Sequence, residues 1–183
     1  MPIFARTKLV IHDDCFEMAP GSALPGRPSI VLNYNGPNPQ RIYYQIKKVL
    51  TSVLRIREDE IVERDFKWDR NSPEESLSTT LEYVKDMDRF TFIHIIVKLK
   101  AKMKPSKEFG KEGSATISIE GWLRTEYPQD NFWQRSIFYE MLRVFFHKVI
   151  YKSTRMKYKQ ECVSLLNQIQ LEIKEFLNAL PKM

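Results

Sequence analysis

The hydrophobic period of this chain changes twice, and that constrains its fold more than any other feature. Between positions 42 and 54, Ile42, Ile46, Val49, Leu50, Val53 and Leu54 recur at steps of three and four, while Arg41, Lys47, Lys48 and Arg55 fall largely outside that stripe. This is the pattern of an amphipathic helix. Asn38-Pro39 ahead of it is a helix-start signal, with Asn38 as the capping side chain and Pro39 where a missing N–H costs nothing. The helix should end before Glu58.

Beyond that point the period becomes two. Val62, Phe66 and Trp68 are expected to share one side of a strand, and Asp69 to Pro73 turns the chain. Leu77, Thr79, Leu81 and Tyr83 form the next strand, and Ile93, Ile95, Val97, Leu99 and Ala101 one face of a long third. A loop over 104–113 leads to a strand carrying Ala115, Ile117, Ile119 and Leu123. Parallel neighbours need crossovers of a dozen residues or more, so four strands joined this closely form an antiparallel meander. Two shorter strands precede the first helix: one in 4–18 around Leu9 and Ile11, the other from Ser29 to Asn35. The proline- and glycine-rich stretch 19–28 between them favours no regular structure.

From Asp130 the period returns to helical. Trp133, Ile137, Phe138, Met141, Leu142 and Phe145 make a broad apolar face. Tyr158, Cys162, Leu165, Leu166, Ile169, Ile173, Phe176 and Leu177 make a narrower stripe. The predicted architecture is one α+β domain over 1–183, its antiparallel meander (about six strands in all) packed against one helix of the N-terminal half and a long C-terminal helix. The segment from about 130 to 180 is expected to project partly from the body. The element order also resembles helix-grip domains (the SRPBCC and START type), in which a curved sheet wraps a C-terminal helix around a ligand cavity. That resemblance implies a small hydrophobic ligand, with Phe90, Phe92, Trp122, Trp133 and Phe138 as lining.

The 183 residues carry 29 Lys and Arg against 23 Asp and Glu, a formal net charge of +6 that hides strong segregation. Residues 58–88 hold eleven acids and four bases; 98–112 hold six lysines and two acids; 131–160 hold seven bases and one acid. Lys98, Lys100 and Lys102 share one side of the long strand, where they either guard a sheet edge or meet an anion. Lys148, Lys152, Arg155 and Lys159 follow helical spacing at the azimuth of the apolar stripe. The helix therefore breaks near Ser153-Thr154, with one of these as cap, or overhangs the body. Either way a concentrated positive surface results, with Tyr151 and Tyr158 beside it. Cations neutralise phosphates and tyrosine stacks on bases, a combination suited to RNA or a ribonucleoprotein.

Trp122, Arg124 and Glu126 are expected on one strand face, where with Trp133 they either line a ligand pocket or anchor the sheet to the helix. His12, His94 and His147 form no metal-ligand spacing, and no nucleophile elbow, phosphate loop or dinucleotide fingerprint is present. No catalytic residue, metal or cofactor is expected. No stretch has the ~20 apolar residues needed to span a bilayer, and no secretory signal is visible, so no membrane role is expected. Two cysteines far apart, Cys15 and Cys162, read as packed or idle thiols of a reduced cytoplasmic protein. Three roles compete: a non-enzymatic protein docking on RNA or a ribonucleoprotein; the helix-grip-like ligand binder; and a subunit of a protein assembly, with itself or another protein, using charge-complementary faces.

Overall fold

Two long strands organise everything else in the computed structural model, which describes residues 8–15, 29–70, 74–106, 110–128 and 132–180. The irregular stretch expected at 19–28 and the turn residues 71–73 lie outside the described residues. Strands β5 (Thr91–Ser106) and β6 (Gly110–Pro128) pair antiparallel from Thr91↔Thr125 to Ser106↔Gly110. The loop expected over 104–113 is thus mostly strand. Alternation continues into it, with Met103 buried and Lys104 exposed, so the ladder has no reason to stop. Beyond β5 lie β4 (Glu75–Asp86) and then β3 (Val62–Asp69), completing the expected meander. The other edge of β6 is shared end to end: β1 (Lys8–Asp14) pairs with 122–128 and β2 (Ser29–Pro37) with 112–120.

This register sorts the sheet into two unlike faces. Ile93, Ile95, Val97 and Leu99 stand beside Leu123, Gly121, Ile119 and Ile117, and this face is the core. It is covered by α1 (Gln40–Leu54) and α3 (Lys152–Ala179), which also touch each other. From α1, Ile42, Ile46, Val49, Leu50 and Leu54 are buried; from α3, Cys162, Leu166, Ile169, Ile173 and Leu177. Both stripes match the sequence spacing. A methyl group on Gly121 would stand 2.5 Å from Leu166 Cδ1, so glycine is what lets α3 lie this close to β6. The opposite face bears polar and aromatic side chains.

Several local expectations are corrected. Asn38 does not cap α1 by its side chain; it adopts a left-handed φ of 54°, and its Oδ1 accepts from Gln40 Nε2 at 3.1 Å. Val62 does not share a face with Trp68. A bulge, with Asp65 at φ 53°, inserts an extra residue between Arg64 and Lys67 and reverses the alternation. Nor is β5 an edge strand, so Lys98, Lys100 and Lys102 guard no edge. The two cysteines are not idle thiols: Cys15, just after β1, is disulfide-bonded to Cys162 of α3. Sequence distance concealed this, because the sheet brings together segments 147 residues apart.

Candidate functional site

The helical expectation fails most informatively at α2 (Ile137–Phe145). Its residues form the broad apolar face read from the sequence, yet that face points to solvent: Ile137 is 82% and Phe138 73% exposed, and Trp133 in the preceding short helix is 80% exposed. Met141, Leu142, Phe145, Val149 and Ile150 are exposed as well. What α2 and the turn after it bury are polar groups: Arg143 is 5% exposed and His147 7%. The segment is inside out. The reason is the end of the sheet on which it rests, where the core face changes from aliphatic to hydrogen-bonding. There Thr91, Thr125 and Tyr127 succeed the aliphatic residues along β5 and β6, and Asp13 of β1 stands beside Leu123. Arg143, His147 and Tyr151, spaced by four, answer them. The Arg143 guanidinium lies 6.0 Å from the Tyr127 ring centroid and pairs with Glu140.

The break between α2 and α3 falls slightly earlier than Ser153. A π-helical turn over Phe146–Ile150 changes the phase, and Tyr151, with no capping side chain before it, begins the new helix. The turn lies upstream of Lys152, so Lys152, Arg155 and Lys159 stay at the azimuth of Cys162 and Leu166 within α3, and they face the sheet end at Asp13 instead of the aliphatic core.

Hydrogen-bonding capacity fixes the proton positions in the buried network. Tyr151 Oη donates to Asp88 Oδ2 at 2.5 Å. Its contact with Thr91 Oγ1 at 2.7 Å must therefore be one it accepts, and Thr125 in turn donates to Thr91 at 3.0 Å. Asp88 Oδ1 accepts from the Phe90 and Thr91 backbone N–H groups at 2.8 Å each. Burial pushes the Asp88 carboxyl up, but the bonds from Tyr151, Phe90, Thr91 and Tyr158 together hold it below its ordinary value. Burial, with the Asp88 bond, raises the Tyr151 hydroxyl far above its own. Arginine has no acceptor, so His147 Nε2 must accept from Arg155; Nδ1 then carries the proton and donates to Tyr127 Oη at 2.8 Å. Burial lowers the His147 pKa, and Arg155 and Lys148 lower it further against the opposing pull of Asp13.

Above this network lies a cleft of about 370 Å³, lined by Asp13, Leu123, His147, Lys148, Lys152, Arg155, Met156 and Lys159. The four cations singled out in the sequence converge here. Arg155 is held by Asp13 at 2.7 Å. Among the described residues no carboxylate lies within ion-pair distance of Lys148 or Lys152. Tyr151 is buried beneath the cleft, its hydroxyl engaged, and Tyr158 is half-buried.

The ion pairs seen for the acidic stretch among the described residues lie away from this cleft. Glu74 pairs with Lys104 at 2.7 Å, Glu75 with Lys111 at 2.6 Å, Glu63 with Lys47 at 3.1 Å and Glu82 with Arg64 at 2.5 Å. Asp88 alone reaches the helical segment, through hydroxyls. Lys98, Lys100 and Lys102 stand on the opposite face of the sheet, Lys98 bound to Glu120 at 2.5 Å. Trp122, Arg124 and Glu126 also share that face, as the spacing required. Trp122 packs on His94 with ring centroids 4.4 Å apart, and Arg124 bonds Glu126 at 2.8 Å and lies 5.5 Å from the Phe92 ring. Trp133 does not join them, since it stands exposed beyond the sheet end. Trp133 and Phe138 are outside the core, and Phe92 and Trp122 turn away from α3, so the five aromatics expected to line a helix-grip cavity do not converge.

Sequence reasoning gave Asp13, Asp88, Thr91, Thr125, Tyr127 and His147 no place in a site, because the network that joins them to Tyr151 and Arg155 forms only where the sheet end meets the helices. One signal was available. Tyr139, Arg143, His147 and Tyr151 run at steps of four through a segment otherwise apolar, a polar line that marks the inward face.

No family model matches the chain, and no curated protein matches it. Among solved structures, one described as "DELTA-ENDOTOXIN" aligns at 10% identity over 56% of this chain, with a TM-score of 0.23. The chain spans 63% of that structure's length, and likeness at that level carries no argument. The fold itself defines the class: an α+β protein whose open six-stranded antiparallel sheet packs against α1 and the α2–α3 segment.

Proposed function

We propose that this protein is a subunit of a protein assembly, and that the surface it presents is the outward face of α2, covered by a second copy of the same chain. The observation carrying this reading is the inside-out helix. Monomeric proteins rarely leave contiguous apolar patches above a few hundred Å². The apolar residues from Trp133 to Ile150 together expose on the order of 1,000 Å², against about 800 Å² per partner in a standard interface. The rim of the patch favours a second copy. Glu140, Val144 and Lys148 run at steps of four along one side of α2 and the turn after it. In an antiparallel pair with its two-fold axis at Val144, each Glu140 meets the other copy's Lys148, an isologous contact with charges matched.

Sedimentation across a range of concentrations tests this. The wild type should self-associate and Phe138→Glu should not. Lys148→Glu, which sets two carboxylates against each other across the pair and leaves the Glu140–Arg143 ion pair intact, should weaken association. A wild type monomeric at every concentration would overturn the proposal.

Docking on RNA or a ribonucleoprotein remains a second reading, supported by the convergence of Lys148, Lys152, Arg155 and Lys159 on one cleft. Such binding should fall steeply with salt and be lost in the Lys152→Glu, Arg155→Glu double variant. The cytoplasmic location we favour requires a disulfide shielded from cellular reductants, and both Cys15 and Cys162 are buried.

A further inference from the structure

We infer that the cleft beneath the π-helical turn is a binding site for a phosphate group, held by Lys152, Arg155 and Lys159 with Lys148 at its mouth. The argument begins with α3. This 28-residue helix follows directly on the π-helical turn, Tyr151 N–H donating to Phe146 O, so its first turn is defined by its side chains and not by a free backbone end. This first turn contains no acid; it opens with Lys152, and Arg155 and Lys159 follow at steps of three and four. Cations are therefore gathered on one helix face, where they repel one another, and the cleft adds Lys148 beside a neutral His147. Asp13 is the one carboxylate of the lining, and it holds Arg155 from the β1 side. An arrangement that costs folding stability this way is what anion recognition needs.

A compact ligand fits better than a polymer. The cations meet in one cleft of about 370 Å³, within the ~300–1,000 Å³ range of small-molecule sites. Lys98, Lys100 and Lys102, which a long polyanion would need as a continuation, lie on the far face of the sheet. Arg155 is pre-oriented by Asp13 and His147, which suits its planar fork to phosphate oxygens. The site shares Lys148 with the rim of the α2 patch but none of the patch's apolar residues, so Phe138→Glu on one side and Lys152→Ala on the other let the two proposals fail separately.

The test is titration of the whole oxidised protein with inorganic pyrophosphate, read by calorimetry and by amide and imidazole NMR shifts. Saturable one-site binding should appear, with shifts confined to the start of α3 and an increase in the His147 pKa as the anion offsets Arg155 and Lys148. Lys152→Ala and Lys159→Ala should each weaken binding roughly tenfold, while Phe138→Glu should leave it unchanged. Vesicles containing phosphatidic acid form a second arm. If they bind and pyrophosphate competes, the phosphate is a lipid headgroup; if pyrophosphate binds and vesicles do not, the ligand is a free phosphate compound. The inference is overturned if pyrophosphate fails to saturate, if Lys152→Glu binds it as tightly as wild type, or if single-stranded RNA binds in proportion to its length while pyrophosphate does not compete.

Discussion

Reducing the Cys15–Cys162 disulfide should remove a large part of the protein's stability. The bond ties the end of β1 to the middle of α3 and closes a loop of 147 residues. By the chain-entropy relation a loop of that length restricts the unfolded chain by about 5 kcal/mol, an upper figure because real unfolded chains retain structure. The thiols released on reduction are both buried in the core cluster, so the folded state itself changes little. With a urea slope of about 2 kcal/mol per molar, the full effect lowers the unfolding midpoint by about 2.5 M. The assay is urea unfolding followed by circular dichroism, with and without reductant, thiols being counted at the end point. Cys15→Ala with Cys162→Ala should reproduce the reduced curve and lose its response to reductant. Coincident midpoints for the oxidised and fully reduced protein would refute the reasoning, since no compensating change in the folded state is available to hide so large a term.

Gly121→Ala should destabilise by about 1–3 kcal/mol, because the new methyl meets Leu166, fully buried with nowhere to move. Combined with Leu166→Ala, itself costing about 2–5 kcal/mol, the two should be less than additive in a double-mutant cycle; strict additivity would mean that α3 does not sit on β6 as described. Acidification should destabilise in two steps. His147 is held below its ordinary 6.5, so its contribution is complete above that value and is lost as pH falls through the depressed folded value. Asp88, held below its ordinary 3.8, acts the same way at lower pH. A urea midpoint flat from pH 7 to 5, or a decline in that range unchanged by His147→Gln, would refute the His147 assignment. Phe138→Glu should leave the monomer's thermal stability nearly unchanged, as nothing buried is altered; a large loss would show that this ring packs within its own chain.

The elements of this fold were legible in the sequence, but the destination of α2 was not. Period reports which residues lie on one side of an element, and it placed Ile46, Val49 and Leu50 of α1 and Cys162, Leu166 and Ile169 of α3 correctly. In α2 the same reasoning found the apolar side, but period does not say which way that side points. Only the neighbouring surface decides the matter. The sheet end beneath α2 offers Tyr127, Thr91 and Asp13, and hydrogen-bonding groups there are best met by Arg143, His147 and Tyr151. The bulge at Asp65 is a similar case, where one extra residue reverses an alternation that composition cannot detect.

By itself the sequence determined the succession of periods, hence a meander with a helix on either side of it in the chain, and the clustering of Lys148, Lys152, Arg155 and Lys159. These depend on near neighbours, whose relations the backbone repeat sets directly. Tertiary structure alone decided that Cys15 meets Cys162, that Glu63, Glu74, Glu75 and Glu82 pair with cations outside the cleft while Asp88 meets Tyr151 beneath it, and that α2 faces outward. Each joins groups far apart along the chain, and such pairings are fixed by where the sheet register delivers them, not by any spacing a single stretch of residues contains.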